Sequence, residues 1–343
     1  MKLEAPSSAS APAPAAVALP TYRAEVPLHS ALPQLLRQAD VAMLSNLHQR
    51  MGDENAQPAA NNDGARRVWG RLLGNRTELQ QATAVAPDVS ADMTGLQVGV
   101  DLLAAAGWNA GLYFGQLRSD ADVDGLYGIN GTLGMAGRAG QLRVNTQYLG
   151  GYATYANAAG QYVDLVLQQG WQDISASTSA ARAGVDGRSI TASVEAGQRF
   201  ALGSGWGLEP QAQLIYNRQR IDDAAISGAI VQQDSASAVI GRLGVRLTGD
   251  VTTGIGRLQP YARVNWWHGF SGSDQTRFVG PAGSTTMSSP VGYDSLETAA
   301  GLTLALSPST SLYGEIGRLF HTGSGDAKVA TTVQGSVGVK IRF

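Results

Sequence analysis

From Arg67 to its end the chain alternates in polarity residue by residue, and this period constrains the fold more than any other feature. A strand sends successive side chains to opposite faces. In YVDLVLQ, Tyr162, Asp164, Val166 and Gln168 share one face, and Val163, Leu165 and Leu167 the other. In LEPQAQLIYN, Glu209, Gln211, Gln213 and Asn217 oppose Leu208, Pro210, Ala212, Leu214 and Tyr216. In LQPYARVNWW, Tyr261, Arg263 and Asn265 oppose Ala262, Val264 and Trp266. The closing VGVKIRF sets Lys340 and Arg342 against Val337, Val339, Ile341 and Phe343.

About twelve strands follow from the pattern, near 67–79, 93–104, 107–118, 145–156, 161–175, 188–200, 206–220, 235–249, 257–270, 293–306, 311–321 and 330–343. Short connections near 105–107, 157–160, 202–205 and 307–310 alternate with long ones at 80–92, 119–144, 176–187, 221–234, 271–292 and 322–329. An even strand number, with short turns at one rim and long loops at the other, is the organisation of a transmembrane barrel. It places the start of the first strand and Phe343 together at the short-turn, periplasmic rim. Segment 119–144 can extend its neighbouring strands above the membrane. A soluble barrel would turn its apolar face inward, but twelve strands enclose more volume than those side chains fill. The expected fold is an all-β transmembrane barrel of about twelve antiparallel strands, apolar outward and polar inward. The pairing of 330–343 with 67–79 would close it.

Composition agrees. Charged residues are 15% of the chain, against roughly 25% in soluble domains, and there are 43 glycines. A net charge of −2 gives no field for nucleic acid. The absence of Cys excludes thiolate chemistry. No apolar run reaches the ~18 residues of a membrane-spanning helix. The opening MKLEAPSSAS lacks a basic start followed by an apolar stretch, so any secretory leader is expected to have been removed. His29, His48, His268 and His321 have no zinc-ligand spacing, so neither a metal nor a cofactor is expected. Trp108, Trp206, Trp266, Trp267, Tyr155, Phe200, Phe270 and Tyr313 lie near strand ends and suit aromatic girdles.

Ahead of the barrel, 1–20 reads as an added start and an Ala/Pro/Ser linker, and 21–32 as a segment kept extended by Pro27 and the following Pro33. Residues 33–52 read as a helix: Pro33 suits its first turn, and Leu32, Leu36, Ala39, Met43 and Leu47 recur at helical spacing. Gly52 suits the stop, with Arg50 in the last turn. This helix is too polar to face lipid. At ~10–12 Å across it fits the lumen of a barrel this size, where Arg37, Asp40, Asn46 and Arg50 would meet polar groups and water. Residues 53–66 would link it to the first strand from the periplasmic side.

The ordered set YRAEVPLHSALP, LRQADVAMLSNLHQRMGD, RVWGRLLG, GGYATY, SVEAGQRFAL, WGLEPQAQLIY, GRLGVRL, LQPYARVNWWH, SLYGEIG and VGVKIRF resembles the C-terminal translocator of monomeric (type Va) autotransporters, the AIDA-type adhesins especially. The resemblance covers about residues 21–343. It implies a barrel in the outer membrane of a Gram-negative bacterium, traversed by a helix. The implied task is export and surface anchoring of the chain's own N-terminal passenger. The implied partners are outer-membrane lipid, the barrel-assembly (Bam) machinery and periplasmic chaperones, and the barrel is expected to be a monomer. In members that cut their own helix, an Asn-Asn pair does so by side-chain cyclisation. Here Ser45-Asn46 stands at that pair, so the attacking carboxamide is replaced. Asn46 is left to attack its own carbonyl before Leu47, which makes Ser45, Asn46 and Leu47 the candidate cleavage region. Apart from that single turnover, the resemblance implies no enzyme. Asp101, Asp164, Glu195, Glu209, Arg71, Arg199, Arg263, Lys340 and Arg342 are expected in the lumen, facing the helix. Phe343 resembles the C-terminal aromatic assembly signal. Two other readings stay open: a plain porin, and an outer-membrane hydrolase using His268 with Ser271.

Overall fold

The structure, a computed structural model, describes residues 22–45, 66–128, 135–234, 237–254, 256–323 and 325–343. Its elements in chain order are α1 (Glu25–Leu44), β1 (Arg67–Gln81), β2 (Asp88–Ala105), β3 (Trp108–Tyr127), β4 (Met135–Ala156), β5 (Gln161–Ser177) and β6 (Arg182–Gln198). There follow β7 (Phe200–Gly203), β8 (Trp206–Ile221), β9 (Ala224–Ile226), β10 (Ala229–Asp234), β11 (Ala238–Thr248), β12 (Val251–Thr253) and β13 (Gly256–Gly269). The last are β14 (Ser273–Gly280), β15 (Gly283–Pro290), β16 (Tyr293–Ala305), β17 (Thr310–Thr322) and β18 (Ala327–Arg342).

Twelve of these strands, β1–β6, β8, β11, β13 and β16–β18, form one antiparallel wall. It closes on itself because β18 pairs with β1, from Arg67↔Arg342 to Gln81↔Ala327, and β8 pairs with β11. Beside that seam, Phe343 and Arg66 exchange backbone bonds of 2.9 and 3.1 Å. The wall therefore has no free edge to recruit another chain. The twelve expected strands are present, and most extend further toward the loop rim. β3 and β4 run to Tyr127 and from Met135, so 119–144 is largely strand.

Wall height is uneven. β3 and β4 have 20 and 22 residues, whereas β11 and β16 have 11 and 13. A tilted transmembrane strand needs only ~9–11 residues, so the β2–β6 side rises well above the apolar belt. Above the low side, the connections expected as loops at 221–234 and 271–292 form hairpins, β9 with β10 and β14 with β15. β9, β10, β14 and β15 join in a separate four-stranded sheet, ordered β15-β14-β10-β9.

The expected faces hold in the wall: Tyr162, Asp164, Gln168, Glu209, Asn217, Arg263 and Lys340 are buried inward, and Leu165, Leu167, Leu214, Val264 and Val337 are exposed outward. Two of the expected girdle aromatics do not belong to a girdle. Trp267 and Tyr313 are buried on the inner face, while Trp108, Tyr155, Phe200, Trp206, Trp266 and Phe270 point outward. The alternation that sends Trp266 to lipid sends its neighbour inside. Inward rings also need space, and glycine supplies it. A Cβ built on Gly150 would come 2.2 Å from the Tyr113 ring, and one on Gly338 2.2 Å from the Tyr313 ring.

The helix also differs from expectation. It starts at Glu25 instead of residue 33, its described part ends at Leu44, and Ser45 is the cap. Pro33 is inside it. Pro27 and Pro33, which suggested an extended approach, sit in helical turns. Gly52 and Arg50 lie outside the described residues.

Candidate functional site

The lumen is the site, and α1 fills its loop-rim half. Here the inner wall is apolar, contrary to the uniformly polar lining expected. Val89 and Met93 of β2, Leu117 and Val123 of β3, Leu142 and Val144 of β4 and Ile174 of β5 form one buried cluster with Leu28, Leu32, Leu35, Leu36 and Met43 of the helix. Each such leucine contributes about 1.5–3 kcal/mol by leaving water. The packing is thus a small hydrophobic core built inside a barrel.

Polar bonds hold the helix at three depths. Nearest the loop rim, Pro33 has no N–H, so the His29 carbonyl lacks its usual helical donor. The hairpins supply replacements: Gln233 Nε2 of β10 donates to His29 O at 2.9 Å, and Thr276 Oγ1 of β14 approaches it at 3.5 Å. Ser289 Oγ of β15 donates to the Ser30 carbonyl at 3.2 Å. The four-stranded sheet is thereby docked on the helix backbone where proline opened it.

At mid-helix, the Arg37 guanidinium pairs with Asp274 of β14 at 3.0 Å, with side chains 0% and 1% exposed. One turn on, Asp40 accepts from Tyr148 at 3.0 Å, Ser189 at 3.0 Å and Asn217 at 2.8 Å, and so ties the helix to β4, β6 and β8. Burying a carboxylate is tolerable when several donors surround it.

At the inner end, the last-turn carbonyls need donors from outside the helix. Arg71 of β1 donates to Met43 O and Ser45 O, both at 2.7 Å, and Gln97 of β2 donates to Met43 O at 3.0 Å. A cation at a helix C-terminus also suits the helix dipole. The helix has no basic residue of its own in that turn, and the wall provides one.

Arg71 thus binds the end of the helix. Several of the other candidates engage neighbouring residues of the wall in the turn-rim half. Asp101 accepts from Tyr152 at 2.6 Å and lies 3.9 Å from Arg67, and Asp164 accepts from Thr154. Glu195 binds Tyr162 at 2.8 Å and Arg242 at 2.7 Å. Glu209 accepts from Gln211 at 2.6 Å and lies 3.9 Å from Arg246. Arg263 bridges Glu297 and Glu315, each at 2.8 Å. Lys340 is buried on the inner face, and Arg199 and Arg342 are half-buried. This half is a charge-balanced polar ring. Ser45 caps the helix through a 2.9 Å bond to the Ala42 carbonyl, and Asn46 and Leu47 lie outside the described residues. Phe343 is exposed at the turn rim.

The sequence did not single out the wall partners Asp274, Tyr148, Ser189 and Asn217. His268 sits on the outer face between Trp266 and Phe270, with Asp294 at 2.8 Å from Nδ1. Among the described residues no serine hydroxyl bonds to it. No group of three or more His, Cys, Asp or Glu among the described residues is arranged to hold a metal ion.

The Autotransporter beta-domain family model matches residues 68–317. The BrkA autotransporter of Bordetella pertussis is 30% identical over 261 residues, covering 71% of this chain and 23% of that protein. The chain therefore spans about a quarter of that relative's length. The crystal structure of the BrkA β domain superposes with a TM-score of 0.62 at 26% identity, covering 81% of this chain and 100% of that one. The transport unit of AIDA-I from Escherichia coli shares the fold, with a TM-score of 0.65 at 16% identity over 88% of this chain and 98% of that one. With its closed twelve-stranded wall and internal helix, the chain belongs to the autotransporter β-domain family of outer-membrane barrels.

Proposed function

We propose that this barrel is the translocator of a longer chain, exporting the passenger that precedes it and holding it at the cell surface. The direction of α1 carries the reading. Its first turn lies among loop-rim groups, with Pro27 against Gly125 and Arg23 bonded to the Ser227 carbonyl. Its last turn lies deep in the lumen at Arg71, and β1 then begins at the turn rim. The N-terminal end of α1 therefore opens at the loop rim, where a preceding chain would join it. The barrel acts as an insertion and export device and not as an enzyme. Outer-membrane lipid, the Bam machinery and periplasmic chaperones are its proposed partners in assembly. Phe343, exposed beside the closing seam, is the proposed assembly signal. A plain porin would not fill its own channel with a buried helix.

An epitope placed ahead of residue 21 tests export. Cells making the full chain should bind antibody without permeabilisation, and should lose the epitope to added protease. Labelling only after permeabilisation would refute the reading. In planar bilayers the barrel should conduct poorly, and deletion of 25–44 should raise conductance. Equal conductance would refute the filled lumen.

A further inference from the structure

The outer face of β6 and β8 carries three arginines, Arg188, Arg218 and Arg220, all exposed. In the strand register Arg188 lies directly opposite Arg220, and Ile190 opposite Arg218. Directly opposed side chains on one sheet face are ~4.5–5.5 Å apart at Cβ, and like charges there repel. Arg218 and Arg220 are two residues apart on the same face, within ~7 Å along the strand. Three positive charges thus share one small patch.

Some other outward arginines near the loop rim are neutralised, although exposed Arg318 lies only over the Phe320 ring. Arg118 and Arg143 both meet Asp120, at 2.6 and 2.8 Å, Arg138 meets Asp122, and Arg76 lies 3.5 Å from Asp92. Arg188, Arg218 and Arg220 have no such partner among the described residues. The nearest carboxylates on this face, Asp173, Asp186 and Asp222, lie together one row further out and make no ion pair with the arginines among the described residues.

Immediately toward the turn rim from the arginines, the same outer surface is hollow. A groove of about 850 Å³ runs across β4, β5, β6 and β8. Leu149, Leu167, Ile190 and Tyr216 wall it, and the small residues Gly151 and Ala192 floor it. Trp171, outward and opposite Arg188, marks the membrane interface at this level. The surface therefore changes within one row from a long apolar hollow to an unneutralised guanidinium cluster, at the level where the outer leaflet ends.

We propose that this patch binds a phosphorylated, multiply acylated lipid of the outer leaflet, with its phosphate on Arg188, Arg218 and Arg220 and acyl chains in the groove. Guanidinium forks suit phosphate oxygens. A bound anion would also relieve the repulsion between Arg188 and Arg220. The charge supplies the head-group preference, and the hollow separates an acylated lipid from free phosphate.

The test uses the full chain, folded in detergent, with its heat-modifiable mobility checked for every variant. Bis-phosphorylated lipid A, the same lipid with its phosphates removed, and inorganic phosphate are titrated by native mass spectrometry. Bis-phosphorylated lipid A should remain bound, and the triple variant Arg188→Gln/Arg218→Gln/Arg220→Gln should weaken it at least tenfold. Removing the paired arginines, Arg118→Gln/Arg143→Gln, should change it less than twofold. The dephosphorylated lipid should bind at least tenfold more weakly than its parent, and Ala192→Trp, which fills the groove floor, should also lower lipid A affinity. Equal binding by the triple variant, equal binding of the dephosphorylated lipid, or displacement of lipid A by equimolar phosphate would each overturn the proposal. Should the triple variant fail to fold, Arg220→Gln and Ala192→Trp carry the same comparison.

Discussion

Replacing Arg37 with Met tests what holds the loop-rim sheet on the helix. Arg37 reaches Asp274 with one guanidinium nitrogen at 3.0 and 3.2 Å and with the other at 3.2 Å, and water reaches neither side chain. Removing one partner of a buried pair strands the other charge, at a cost of roughly 3–5 kcal/mol. With about 1.4 kcal/mol per tenfold change, undocking of β14 and β15 should become at least ~100-fold more frequent. Hydrogen exchange of amides 273–290 reads this directly, because local opening sets their protection. Amides of β2 and β3 near Val98 and Phe114, far from the pair, should not change. The double variant Arg37→Met/Asp274→Leu buries no charge and should recover much of the loss. Arg143→Gln, which breaks an exposed pair, should alter exchange little, since such pairs contribute about 0–1 kcal/mol. Unchanged exchange across 273–290 in Arg37→Met would refute the view that this pair docks the hairpin.

Gly338→Val should displace the Tyr313 ring, whose Cζ lies 2.2 Å from the new Cβ position, and cost about 1–3 kcal/mol. A lower urea midpoint for the heat-modifiable band would show it, and an unchanged midpoint would refute the packing argument. In the turn after β11, the Arg257 guanidinium donates to Asp250 at 2.7 Å and holds its carboxyl below the ordinary range. A lowered folded-state value stabilises the fold above the unfolded carboxylate value of about 3.9. That stability is lost as pH falls through the lower folded value. Asp250→Asn should therefore reduce stability at neutral pH and flatten its decline below about pH 4, which denaturant midpoints measured across pH would reveal. Intact-mass measurement of membrane-inserted chain should find one full-length species, because Ser45 lacks the carboxamide needed at that position. A product missing roughly its first 45 residues would show that Asn46 or another group cuts the chain.

The wall was legible because a period of two is local: residues 161–167 alone show which side of β5 meets lipid. The hairpins were not. SDQTRFVG and GSTTMSSP lack strong alternation, since one face meets the helix backbone and needs donors instead of bulk. The helix start was missed for a related reason. Proline is costly in an isolated helix, and only the tertiary donors Gln233 and Thr276 make Pro33 acceptable. The same non-local logic hid the partners of Asp40. Tyr148, Ser189 and Asn217 lie on three strands, and no spacing in the chain links them. The apolar loop-rim half was visible residue by residue in Val89, Met93 and Leu117, but a uniform inside-polar rule averaged over it. Arg71 was placed in the lumen only as one inward charge among several, and nothing in the spacing pointed to its bonds with Met43 and Ser45.

The three levels of bonding on α1 also decide how it bears load. A pull on the segment ahead of Glu25 acts along the helix axis and out of the barrel. The Asp274 and Asp40 contacts, which leave the helix sideways, are then sheared together, while the Arg71 bonds to the terminal carbonyls are stretched lengthwise. Whatever is tethered there is moored in shear at two of the three levels, the geometry that resists drag best for a given number of bonds.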